Sequence, residues 1–263
     1  MASKQHIFTL DEVLQGKATR IKSKDYFKTS DYLNPFLDRM SKYTDNFSVQ
    51  VKMPDQITLT EDGNVVTDDL TFNRVNVEAI LPEEYAFEGH TQVVGIVYGL
   101  DVLKPVAKLY SGAERSACTN LCVFSPNGLS VQEIAPESAL DYSPIDRLIN
   151  RTETISKTLK MLSETEFVAS EMNINESLGR WIRNAMGMNF SNGYGKTKIA
   201  TSTILDAYKE LFVDEDSDYY TGDEDCSMFN VYNAFTQQIT NDLKKDCFTR
   251  YEKTLLIGRI LGI

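Results

Sequence analysis

The chain has 263 residues, 42% of them apolar, and its 38 acidic and 27 basic side chains leave a formal net charge of −11. Such a composition belongs to a globular protein, and the acid excess excludes a chain that coats nucleic acid through a uniformly basic field. Four cysteines, two histidines and one tryptophan leave little material for metal, imidazole or redox chemistry.

A chain of this length forms one large domain or two small ones and buries roughly 70% of its unfolded surface without needing a covalent staple. The N-terminal MASKQHIFTLDEVLQG has no basic start followed by an apolar run. No stretch approaches the roughly 20 apolar residues that span a bilayer. The expectation is a cytoplasmic protein of a host cell, with no membrane partner and with Cys118, Cys122, Cys226 and Cys247 reduced.

In chain order, Leu10 to Gln15 and Ser30 to Tyr43 read as helices, with Pro35 placed near the first turn of the second. Phe47 to Val51 and Gln56 to Thr60 alternate as strands do, and Glu61-Asp-Gly-Asn64 before Val65-Val66 is a hairpin signal. A long strand is expected over Leu70 to Leu81. Thr91 to Tyr98, Val106 to Tyr110, Arg115 to Phe124 and Leu129 to Ile134 follow as strands, separated by Gly99, Gly112 and Pro126-Asn-Gly128. At Ser143 the period changes. With Ser143 as N-cap, Pro144 at the first and Asp146 at the third helical position, Ile145, Leu148, Ile149, Ile155, Leu159 and Leu162 fall on one face. One long amphipathic helix is expected from 144 to about 171. Helices over Glu176 to Met188, Thr197 to Val213, Ser227 to Lys245 and Thr249 to Leu261 complete the chain. The fold class is therefore α+β, with a strand-rich part over 1–142 built on an antiparallel sheet. A helical part over 143–263 packs on it as a single domain.

The charge is uneven along the chain. Residues 1–60 and 147–213 each carry nine bases and seven acids, 61–146 carry four and fourteen, 214–226 carry seven acids and no base, and 227–263 carry five bases and three acids. Lys17, Arg20, Lys22, Lys24 and Lys28 form the densest basic stretch, with Tyr26 and Phe27 beside them. That mixture suits phosphate contact and base stacking on single-stranded nucleic acid, and equally suits a solvated basic turn. Arg147, Arg151, Lys157 and Lys160 form a second basic surface, interleaved with Glu153 and Glu164 as solvated helix faces are.

Other patterns are incomplete. Asn192-Gly-Tyr-Gly-Lys-Thr197 ends like a phosphate loop, but Phe190 stands where the first Gly is required, and a helix-to-helix loop accounts for it. Asp214-Glu-Asp-Ser-Asp218 spaces carboxylates like a calcium loop, yet Tyr219 and Asp225 replace the Gly and Glu an EF-hand needs. Cys118 and Cys122 lack a second Cys or His pair to complete a zinc site. His6 and His90 offer no evident nucleophile–base pair. Neither a catalytic group, a metal site nor a cofactor is expected. In Met228 to Ile239, Met228, Val231, Tyr232, Phe235 and Ile239 form an apolar stripe, outside which Asn230, Asn233, Thr236 and Gln237 contact water or a ligand.

Two segments resemble a known family. Tyr98 to Asn120 (YGLDVLKPVAKLYSGAERSACTN), through Asp101, Gly112, Arg115, Cys118 and Asn120, is similar to a segment of the phage and plasmid lateral-gene-transfer family, domain of unknown function 932. Asn230 to Thr236, with Tyr232, Asn233 and Thr236, resembles that family's late Tyr-Asn-Ala-x-Thr helix. Val102 and Leu121 stand where the family commonly has Gly. The resemblance spans roughly residues 70 to 245 and implies a mobile-element setting without a settled activity. On physical grounds, Arg115 at a strand start can hold Asp101 or an anion, and Asn120 can cap the strand end.

The leading expectation is a non-enzymatic phage or mobile-element protein that binds or anneals single-stranded DNA. Two others stand beside it. One is an acidic interaction protein that binds a host or phage protein through its acidic regions, as an anti-defence or replication accessory factor. The other is an enzyme with a site assembled around Asp101, Arg115 and Asn120. Self-association into a homo-oligomer is also expected.

Overall fold

The computed structural model describes residues 8–20, 26–52, 70–86, 90–99, 106–115, 121–123, 130–133, 141–150, 152–167, 199–222, 226–241 and 246–260. The fold is α+β: an antiparallel sheet in the N-terminal half and helices in the C-terminal half. The expected elements at Gln56 to Thr60, the Gly63-Asn64 hairpin and Glu176 to Met188 lie outside the described residues.

Helix α1 (Leu10–Gln15) begins in a reciprocal cap. The Glu12 backbone N–H donates to Thr9 Oγ1 at 3.3 Å, and the Thr9 N–H donates to Glu12 Oε2 at 2.7 Å. Two orphan donors of the first turn are thereby satisfied. Gly16 ends it against Phe72, whose ring stands 2.3 Å from where a Cβ would be, so only glycine fits. The ribbon β1 (Lys17–Arg20) and β2 (Tyr26–Lys28) follows, then α2 (Thr29–Met40). Tyr32, Leu33, Phe36 and Met40 form the buried stripe of α2. Pro35 is its seventh residue rather than part of its first turn. Proline there removes an N–H and crowds the preceding turn, and the four buried side chains hold the helix through it.

The sheet runs β3 (Phe47–Val51), β4 (Arg74–Ile80), β5 (His90–Gly99), β6 (Val106–Arg115), all antiparallel, and the far edge of β6 is shared by two short strands. β7 (Leu121–Val123) pairs along Gly112 to Glu114, and β8 (Ser130–Glu133) along Val106 to Leu109. Gly112, expected to separate two strands, lies inside β6 opposite Val93 and Val123. Arg115 consequently ends a strand instead of starting one. Only Arg74 to Ile80 of the expected 70–81 strand joins the ladder, while Leu70 and Phe72 are buried in the core.

Alternation sorts the sheet residues into two faces. Val75, Val77, Ala79, Val94, Ile96, Tyr98, Ala107 and Leu109 pack with α1, α2 and α3 (Ile145–Ile149) in one apolar cluster. Asn76, Glu78, Lys108 and Tyr110 occupy the other face, under helix α7 (Cys247–Ile260).

The long helix expected from 144 to about 171 is two helices, α3 and α4 (Thr152–Glu164), and neither end is where the sequence places it. Pro144, not Ser143, holds the cap position, and Asp146 is the second helical residue. The Ser143 N–H is taken by the Asp141 carboxylate at 2.9 Å. The break at Asn150 is stabilised from the sheet. The buried Gln92 amide donates to the carbonyls of Leu148 and Ile149 at 3.2 and 3.1 Å, satisfying two acceptors left at the end of α3. At the other end Thr165 Oγ1 donates to the Met161 carbonyl, and the chain turns into β9 (Glu166–Phe167).

β9 pairs with β10 (Cys226–Ser227), which leads into α6 (Met228–Asn241). With α5 (Thr201–Phe212), these helices build a second cluster from Ile155, Leu159, Leu162, Ile204, Leu211, Val231, Phe235 and Ile239. α7 packs on α6 and against β4, β5 and β7, so the helical half rests on the sheet. Among the described residues no helix is long and apolar enough to cross a membrane.

Candidate functional site

The basic stretch becomes a two-stranded ribbon. Lys17 pairs with Lys28 and Arg20 with Tyr26, with a register irregularity between the two positions. The ribbon is rooted in the fold by backbone bonds from the Lys17 N–H to the Leu70 carbonyl (2.8 Å) and from the Phe72 N–H to the Lys17 carbonyl (2.9 Å). Lys17 and Lys28 are both exposed. Residues directly opposite in an antiparallel ladder project to the same side, with Cβ atoms about 5 Å apart. Two cationic stems therefore leave one spot of the surface together. Lys22 and Lys24, between the strands, lie outside the described residues.

The second basic surface is internally compensated. Lys157 pairs with Glu153 at 2.6 Å and Lys160 with Glu164 at 3.8 Å, each one helical turn apart on α4 and each exposed. The Lys157 hydrogen bond, with the charge of Lys157, holds the Glu153 carboxyl below its ordinary range. Arg147 is exposed on α3, whose neighbour Asp146 meets Arg39 at 3.6 Å, and Arg151 lies outside the described residues. The ribbon is joined to α2, and α3, which carries Arg147, packs in the same cluster as α2, whereas α4 with Lys157 and Lys160 packs on α6 and β10.

Of the family-signature positions, Asp101, Cys118 and Asn120 lie outside the described residues. Gly112 is a buried ladder residue. Arg115 pairs with His90 at one end of the β5–β6 ladder, whose other end is the Gly99–Val106 pair. Tyr232, Asn233 and Thr236 are all fully buried in α6. Asn233 Nδ2 donates to the Phe229 carbonyl at 2.8 Å and Thr236 Oγ1 to the Asn233 carbonyl at 3.1 Å. Asn233 and Thr236, expected outside the apolar stripe, face the interior and satisfy the helix itself. Gln237 Nε2 donates to Glu210 of α5.

The acidic segment is an exposed loop after α5, turned by bonds from the Asp216 N–H to Asp214 Oδ1 and from the Tyr219 N–H to Ser217 Oγ. No three His, Cys, Asp or Glu side chains among the described residues could hold a metal ion. Cys247 is buried and its thiol is pushed up to about 12 by desolvation, which removes it as a nucleophile at neutral pH.

A cluster that the sequence did not suggest lies between the sheet and α7. Lys108 and Glu252, both buried, form an ion pair, with Lys108 Nζ also 5.5 and 5.6 Å from the ring centres of Phe248 and Tyr251. Arg74 reaches Asp246 at 2.7 Å at the start of α7. Tyr110 lies over Gly95, where a Cβ would meet its ring at 2.3 Å, and bonds Asn76 and Glu78. The only advance signal was the pair of polar residues inside RVNVEAI, which reads equally as a solvated face. This cluster is covered by α7, whereas Lys17 and Lys28 of the ribbon are exposed.

No protein-family model matches the chain, and neither does any curated protein or solved structure.

Proposed function

We propose that this chain is a non-enzymatic protein of a phage or other mobile element that binds single-stranded nucleic acid through the β1–β2 ribbon. The observation that carries the reading is the placement of Lys17 directly opposite Lys28. Like charges on one face of a ladder disfavour the pairing, and a phosphate lying between them reverses that sign. Lys22 and Lys24 fall in the five residues between the strands, concentrating five bases against one acid in a chain of net charge −11. The resemblance of Tyr98 to Asn120 and of Asn230 to Thr236 to a phage and plasmid family supports the setting. The order of sheet followed by helices, which annealing proteins also use, supports annealing by analogy alone.

Fluorescence anisotropy with a labelled single-stranded oligonucleotide across a salt series tests the reading. Each phosphate neutralised contributes about −0.7 to the slope of log K against log salt. The double variant Lys17→Gln/Lys28→Gln is expected to flatten the slope by about 1.4. Millimolar affinity at low salt, or a slope that this variant leaves unchanged, rejects the reading.

One observation favours a second reading, docking of a basic host or phage protein. Asp214, Glu215, Asp216 and Asp218 are exposed next to Val213, itself 60% exposed, and Tyr220 at 39%. Apolar contact rimmed by carboxylates suits a basic partner. Capture of a basic partner that survives neutralisation of these four acids removes that role for the loop.

A further inference from the structure

Three polar atoms on adjacent strands form a closed triangle in the layer under α7. Tyr110 Oη lies 2.8 Å from Asn76 Oδ1 and 2.7 Å from Glu78 Oε1, and Asn76 Nδ2 lies 3.0 Å from the same Glu78 oxygen. Each edge is a hydrogen-bond distance and needs one proton. The tyrosine hydroxyl supplies one and the asparagine amide supplies one. The third edge then faces two acceptors unless the carboxyl carries a proton. Exchanging the amide oxygen and nitrogen of Asn76 does not escape the count. The amide then donates to Tyr110, the tyrosine donates to Glu78, and the Asn76–Glu78 edge becomes the one without a hydrogen.

We propose that Glu78 is kept as a neutral carboxylic acid whose proton closes this triangle, and that its ionisation is a pH-gated loosening of α7 from the sheet. The surroundings fit the neutral form. Glu78 is 5% exposed, and burial raises its carboxyl above the ordinary range against the opposing bonds from Tyr110 and Asn76 and the charge of Arg250. From β6, Glu114 also faces it and is itself raised, first by desolvation and then by Glu78. From α7, Arg250 faces it and also donates to the Thr240 carbonyl at 3.2 Å. Among the described residues, Lys108 is paired with Glu252 and Arg74 with Asp246, and α7 also carries the buried Lys253. Loss of the proton sets two acceptors against each other at hydrogen-bond distance and adds a charge beside Glu114. Tyr110 transmits the change to α7, since its ring lies 4.9 Å from that of Tyr251.

Infrared spectroscopy of the intact chain at pH 7 gives the test. The carbonyl stretch of a protonated carboxyl should be present, be lost in Glu78→Gln, and persist in Glu114→Gln and Glu210→Gln. Amide exchange in α7 should accelerate at least several-fold above the pH at which the band disappears, and Glu78→Gln, which cannot ionise, should abolish that acceleration. Absence of the band in the wild-type chain, or its loss in Glu114→Gln or Glu210→Gln, overturns the assignment. Exchange in α7 that ignores the band's titration overturns the loosening. If Glu78→Gln does not fold, the wild-type band and the two other variants still decide the matter.

Discussion

On one face of the sheet, Val75, Val77, Ala79, Val94 and Ile96 pack on α1 to α3 in an apolar cluster, with the Gln92 amide as a polar anchor to α3. One residue along β4 and β6, Asn76, Glu78 and Tyr110 are hydrogen-bonded to one another under α7, Lys108 pairs with Glu252 of α7, and all four are buried beside Val93 and Val97 of β5. The apolar face draws its stability from area, which tolerates small slides because it has no direction. The polar face penalises any misplacement of α7, since a displaced helix leaves a charge or a donor buried without its partner. One face supplies most of the driving force and the other supplies the register.

That contrast can be broken from either side. Lys108→Met, which strands the Glu252 carboxylate, is expected to cost about 3–5 kcal/mol in denaturant unfolding, and Phe36→Ala in α2 a similar amount by opening a cavity. The sharper result is the rescue. Lys108→Met/Glu252→Leu should recover most of the loss, because a buried pair replaced by apolar groups is often neutral, whereas no second substitution in the polar layer repairs Phe36→Ala. Gly95→Ala, whose added carbon would stand 2.3 Å from the Tyr110 ring, should cost about 1–3 kcal/mol and disturb the tyrosine environment in near-ultraviolet circular dichroism.

Smaller still is the pH effect. Glu78 and Glu114 are both raised, by desolvation first, so the folded chain holds their protons to higher pH than the unfolded chain does. Their contribution is complete below the ordinary glutamate range and is lost as pH rises through the raised folded values. Unfolding midpoints should therefore fall over that window, and Glu78→Gln should remove the larger part of the decline. The smallest effect belongs to the surface of α4, where Glu153→Gln should leave the midpoint unchanged within error, since exposed ion pairs of this kind contribute little.

Local chemistry made much of the fold legible. The Leu10–Gln15 helix, the Phe47–Val51 strand and the division into a sheet followed by helices were readable because their signals lie within a few residues. The helix break at Asn150 was not, because the group that satisfies the carbonyls left there is Gln92, a residue distant in sequence. The same limit hid the polar layer. Nothing in Arg74 to Ile80 distinguishes a face turned to water from one turned to a polar helix that arrives late in the sequence. Of the candidate surfaces, the basic stretch was legible as charge, but the opposition of Lys17 and Lys28 depends on ladder register and had to come from the structure.

The chemistry of that hidden face also bears on biosynthesis. α7 is translated well over a hundred residues after β6, a delay on the order of ten seconds at ordinary elongation rates. During that interval the sheet can fold onto α1 and α2 while its second face waits uncovered. An apolar surface left open for so long would invite association with other nascent chains. A face that carries an ammonium, a carboxyl, an amide and a phenol beside Val93 and Val97 exposes less apolar surface until its own helix emerges.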